Sequence, residues 1–122
     1  MSDLRPEGID IELGGEKRNF LFTLNVMDDL QDEFDEEFDA VIGRLESKRE
    51  LPKVLKRIVA ALINDDCERK GKETKVTARE VGMMIAEQNL LAVQIAVLKA
   101  YGVSLPEPDE DDFPNQESGQ QE

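Results

Sequence analysis

Read for its apolar and polar positions, the chain changes period early. Ile9, Ile11 and Leu13 alternate with Asp10 and Glu12, and Phe20, Phe22 and Leu24 alternate with Leu21 and Thr23. A period of two marks a half-buried strand. Gly14-Gly15 lies between the two runs and accepts positive φ without steric cost, which predicts a β-hairpin over 9–24. A lone hairpin is marginal in water and must lean on another element. Beyond it the pattern turns helical. Val26, Leu30, Phe34 and Phe38 recur every four residues beside Met27, forming one apolar stripe on an acidic helix expected over 26–46. Asn25 is its expected N-cap, and Asp28 and Asp29 in the first turn suit the helix dipole. A break is expected at 35–37, with Val41, Ile42 and Leu45 carrying the pattern on.

Pro52 stands where a first helical turn loses nothing by its missing N–H. The helix expected over 52–68 buries Val54, Leu55, Ile58, Val59, Leu62 and Ile63 and exposes Lys53, Lys56 and Arg57. Its pattern fades at Asn64-Asp65-Asp66, and Gly71 should finish it before a polar loop, RKGKETK. Thr77-Ala78-Arg79-Glu80 is a capping box, opening helical structure over 78–101. Val81, Met84 and Ile85 take its core face. Gln88-Asn89 marks an interruption, with Asn89 capping a further run from Leu90 to Tyr101. That run is apolar nearly all round, so it is either central in the core or covered by a second chain. Gly102 is a good stop. The expected fold is mainly α (α+β): an N-terminal hairpin on a bundle of four helices. It forms one domain over 8–103, after a flexible lead-in at 1–7. The remainder, 104–122, is rich in Pro, Gln and acid with Phe113 as its only large apolar residue beyond Leu105, so disorder is expected there.

Charge sharpens this picture. The 122 residues carry a net charge of −13, unevenly placed. Up to Gly43 there are 13 acidic and 3 basic residues; from Arg44 to Arg79 there are 11 basic and 6 acidic; beyond that there are 9 acidic and 1 basic. An acidic chain argues against generic phosphate binding, which needs a dense Lys/Arg surface. No nucleic-acid partner is expected. TAREVGMMIAEQN faintly suggests a helix-turn-helix, but the run after it has no arginine to grip phosphate. No apolar run is long enough to span a bilayer, so no membrane partner is expected. The polar opening MSDLRPEG lacks the apolar core of a secretory signal.

Residues for chemistry are scarce. The chain has no histidine and one cysteine, Cys67, with no base to hold it as thiolate. The carboxylates between Asp28 and Asp39 lack the loop pattern of an EF-hand, and their spacing fits a solvated helix face. Gly14-Gly15 does not lead into a phosphate-cradling helix. No catalytic residue, metal ligand or cofactor is therefore expected, and binding is the remaining class of function.

Three segments taken together carry a resemblance: IELGGEKRNFLFTLNVMDDLQDEF, the basic helix PKVLKRIVAALI, and TAREVGMMIAEQNLLAVQIAVLKAYG. Over Gly8 to Gly102 the chain resembles the tail assembly chaperones of long-tailed bacteriophages, a family also found in prophages and gene transfer agents. The shared features are the hairpin, an aromatic-x-(Thr)-Leu-Asn phrase, here Phe22-Thr23-Leu24-Asn25, before an acidic helix, and a Thr-capped Glu-Val-Gly-x-x-Ile helix. An Asn-Leu step into an apolar helix closing on Gly completes them. The resemblance implies a non-enzymatic helper in the host cytoplasm, absent from the mature virion. Its implied partners are the tape measure protein, whose helices it keeps soluble, and the tail tube protein it recruits. A second copy of the chain is a further candidate partner.

The acidic helix and the last apolar helix supply the candidate contact residues: Asp28, Asp29, Asp32, Phe34, Phe38, Met83, Met84, Leu91, Ile95 and Leu98. A different class of function also stands, a small acidic decoy that blocks a basic host protein. The basic block from Arg44 to Arg79 interrupts the uniform negative face such a decoy needs. A third reading is an adaptor retained in the mature particle.

Overall fold

In the computed structural model, which describes residues 8–104, an antiparallel hairpin precedes five helices. Strands β1 (Ile9–Leu13) and β2 (Glu16–Phe20) pair with Ile9 opposite Phe20 and Leu13 opposite Glu16. Gly14 and Gly15 hold φ of 66° and 79°, a pair of positive values that matches the twist of the strands. Gly14 is also a close approach: a Cβ there would stand 2.9 Å from the Met84 sulfur. The expected lead-in at 1–7 and the acidic tail lie outside the described residues.

The return strand ends earlier than its alternation implies. Phe22 is buried, but Leu24 already opens helix α1 (Leu24–Phe34) and is 81 % exposed. Thr23, not Asn25, is the N-cap. Its hydroxyl accepts from the Val26 amide at 3.3 Å and donates to Asp65 at 3.0 Å. Both residue types cap well; the partner 42 positions away decides between them.

The break at 35–37 is present. Asp35 takes φ of 54° and ends α1, and α2 (Phe38–Gly43) comes next, continued by a 3-10 turn at Arg44–Glu46. Gln31 joins the two helices by accepting from the Phe38 amide at 2.9 Å.

Helix α3 (Leu51–Arg69) is the axis of the core. Val54, Leu55, Ile58, Val59, Leu62 and Ile63 are all buried, as their spacing predicts. The helix runs on through Asn64-Asp65-Asp66, where its apolar pattern fades, because those polar groups find partners. Asn64 clamps the backbone of Val76 at both N–H (2.7 Å) and C=O (2.9 Å). Asp65 accepts from Thr23 and Arg69, while Asp66 pairs with Lys70 at 3.0 Å. Gly71 ends α3 at φ of 76°, with the Lys72 amide returning to the Cys67 carbonyl. Arg69 forks onto Asn19, Lys70 reaches the Lys17 carbonyl, and Lys72 reaches Glu16. These cations fasten the C-terminal end of α3 to β2.

Helix α4 (Ala78–Met84) opens with the expected capping box and packs on α3. A bend of 120° separates it from α5 (Glu87–Ser104). The interruption falls at Ile85-Ala86 instead of Gln88-Asn89. Asn89 is inside α5: its side chain accepts from the Ala86 amide at 2.8 Å and donates to the Met84 carbonyl at 2.9 Å. It stitches the bend shut from within, the reciprocal half of a capping box. The five α-helices among the described residues agree with the expected hairpin on a small bundle of about four helices, the expected spans 26–46 and 78–101 each being broken in two.

Candidate interaction surface

Helix α5 sorts its residues unusually. The face turned to the interior consists of Val93, Ala96, Val97 and Ala100, all buried. These small side chains let the helix lie close to the hairpin, its main support. The larger Leu91, Ile95 and Leu98 face outward, 67 %, 43 % and 49 % exposed. Their i, i+4, i+7 spacing puts them in one row. Isolated exposed leucines are ordinary on protein surfaces, but a row of them along a helix is a contact surface in waiting.

The row borders a cleft of about 360 Å³. Leu98, Gln94 and Tyr101 form one wall, and Ile42 and Leu45 from α2 and the turn after it form the other. Asp39 and Glu46 stand at its edge. Tyr101 anchors the floor through an aromatic trio, with its ring centroid 5.6 Å from Phe38 and 6.5 Å from Phe22. Its hydroxyl donates to Asp39 at 2.8 Å. That hydrogen bond, then burial, raises the tyrosine above its ordinary pKa.

The other candidate contact residues fall into two groups. Asp28, Asp29 and Asp32 are exposed on α1. That helix packs on α2 and α3, whereas α5 packs on the hairpin, so the two surfaces have separate supports. Met83 is 76 % exposed on α4. Phe34, Phe38 and Met84 are half-buried and already engaged. Arg44 lies over the Phe34 ring at 5.5 Å, Phe38 stacks in the aromatic trio, and Met84 covers Gly14.

The acidic first helix and the basic third helix do meet within one chain. Arg57 of α3 contacts Glu33 of α1 at 2.7 Å; separately, Arg44 in the 3-10 turn contacts Glu36, between α1 and α2, at 2.8 Å. Ile42, Leu45 and Gln94 join the surface although the sequence does not single them out. Ile42 and Leu45 carry the spacing of interior residues, and Gln94 is one polar position in an apolar run. Leu24, expected in a strand, is the most exposed large apolar side chain among the described residues.

Among the described residues no group of three His, Cys, Asp or Glu is placed to hold a metal ion. Among them, too, no single helix is long and apolar enough to cross a membrane. No family model, curated protein or solved structure matches the chain.

Proposed function

We propose that this protein is a phage tail assembly chaperone that covers the amphipathic helices of a tape measure protein and delivers tail tube subunits to it. The observation that supports this reading is the outward row Leu91, Ile95 and Leu98 beside the acid-edged cleft. A client that must later be released requires modest affinity. Covering three side chains that are already half in contact with the protein contributes on the order of 3 kcal/mol before association costs. That is enough to favour binding of a helix rich in such faces by repetition along its length, and too little to trap it.

The acidic face of α1 supplies a second element. Asp28, Asp29 and Asp32 attract basic flanks on a client helix and set its register more than its affinity. The triple substitution Asp28→Lys, Asp29→Lys and Asp32→Lys tests this part. Co-purification with the tape measure protein should fall, and the residual binding should depend less on salt. Unchanged recovery at low and high salt would remove the α1 face from the binding surface. The substitutions lie on exposed positions, so the fold itself should be retained.

A further inference from the structure

A second groove, of about 350 Å³, lies at the other end of α5. Leu51 and Leu55 of α3 form one side, and Ile85 and Leu90 at the α4–α5 bend form the other. Its charged lining is one lysine and one glutamate, where that of the Leu98 cleft is carboxylate alone. Lys56 lines it, Lys48 and Arg49 lie in the turn before Leu51, and Arg79 is one turn before the groove residue Gly82. None of these four cations has an ion pair among the described residues. Arg18, Arg44, Arg57, Arg69, Lys70, Lys72 and Lys75 each have at least one, while Lys17, Lys53 and Lys99, elsewhere on the described surface, also have none. One carboxylate, Glu87, shares the lining. In a chain of net charge −13, an apolar groove lined by Lys56, with unpaired Lys48, Arg49 and Arg79 adjoining its lining in sequence, favours an acidic ligand with an apolar anchor.

The chain itself contains such a ligand. Asp109-Glu110-Asp111-Asp112 precedes Phe113, the only large apolar residue after Leu105. We infer that this segment folds back in cis, with Phe113 in the groove and its acidic neighbours against Lys56 and Arg79. The reach is sufficient. Phe113 is nine residues beyond Ser104, a span of up to roughly 30 Å when extended. The return along α5 from Ser104 to Leu90 is only about 21 Å. A tether of that length holds the segment at an effective concentration near the millimolar range, so a contact feeble in trans is populated in cis. The groove and the Leu98 cleft are at opposite ends of α5, so this inference stands apart from the proposed client surface.

Photo-crosslinking of the full-length chain tests it. A benzoylphenylalanine replacing Phe113 should crosslink within one chain, to segments 51–56 and 85–90, at a yield independent of protein concentration. Combining Lys56→Glu with Arg79→Glu should lower that yield roughly fivefold. Crosslinks to any other segment, or only between two copies, would overturn the inference, as would an unchanged yield in the charge-reversed chain. A second readout needs no change in the folded domain. Phe113→Ser should shift the methyl resonances of Leu55 and Leu90, and unmoved resonances would also overturn it.

Discussion

Asp35 holds φ of 54° at the end of α1, a conformation that disfavours residues with a Cβ. Aspartate tolerates it better than most, but glycine would adopt it freely. Asp35→Gly should therefore stabilise the fold by about 0.5–1 kcal/mol in chemical denaturation. A loss of stability would mean that the Asp35 side chain contributes more than its backbone strain costs. Tyr101, the only tyrosine, gives a second test at this scale. Its hydroxyl proton is held by the Asp39 carboxylate, so its folded pKa lies above the ordinary value. A raised pKa contributes stability that is full below the unfolded value and is lost as pH rises through the folded one. Ultraviolet titration should place the phenolate midpoint above about 10. Asp39→Asn should bring it down, and no change would deny the contact. Glu16 behaves in the opposite sense. Its hydrogen bond to Lys72, aided by Arg18, lowers its pKa, so its contribution is present above the ordinary glutamate range and fades as pH falls through the folded value. Single residues are only partly legible in the sequence. Thr77 with Glu80 declares itself through a local pattern, because both capping partners are three residues apart. Thr23 does not, because its choice over Asn25 depends on Asp65, far along the chain.

At the scale of elements, periodicity is sufficient where one face meets the core and the other meets water. Strand β1, the Gly-Gly turn and α3 are of this kind; β2 is not, because its buried positions are Arg18 and Phe20 and the apolar alternation from Phe20 to Leu24 lies mostly beyond it. The signal fails at Asn64-Asp65-Asp66, where a polar run stays helical because Val76, Thr23, Arg69 and Lys70 satisfy it. It also fails along α5. An all-round apolar run has no preferred face, so only the tertiary structure shows which residues it buries. Small residues take the interior because the hairpin approaches closely, leaving the larger ones outside. This sorting gives an unusual expectation. Leu91→Gln, Ile95→Gln and Leu98→Gln combined should change stability by no more than about 0.5 kcal/mol per site. Val97→Ala alone should cost about 1–2.5 kcal/mol, because it leaves a cavity in the core. Thermal and urea unfolding of both variants measures the contrast. If the outward triple variant is the less stable one, the row belongs to the fold and not to a partner.

For the whole molecule, the charge blocks divide the surface by task. Cations at the end of α3 fasten the hairpin, Arg44 and Arg57 hold the first two helices, and acid remains on α1 and around the Leu98 cleft. The fold class is legible because strand and helix periods differ so plainly. The candidate contact surface is legible in the sequence only as a set of apolar and acidic positions. Phe34, Phe38 and Met84 look the same in sequence as Leu91, Ile95 and Leu98, although the first three are engaged internally and the last three face out. The proposed function makes one demand above the rest: the row must keep a long helical client soluble. The direct measurement is co-expression with the tape measure gene expected a short distance downstream, comparing the wild-type chain with the Leu91→Gln, Ile95→Gln, Leu98→Gln variant. The expected result is a soluble, co-purifying tape measure protein with the wild type and an aggregated one with the variant. A tape measure protein equally insoluble with both, or equally soluble with both, would contradict the assignment of that surface to client binding.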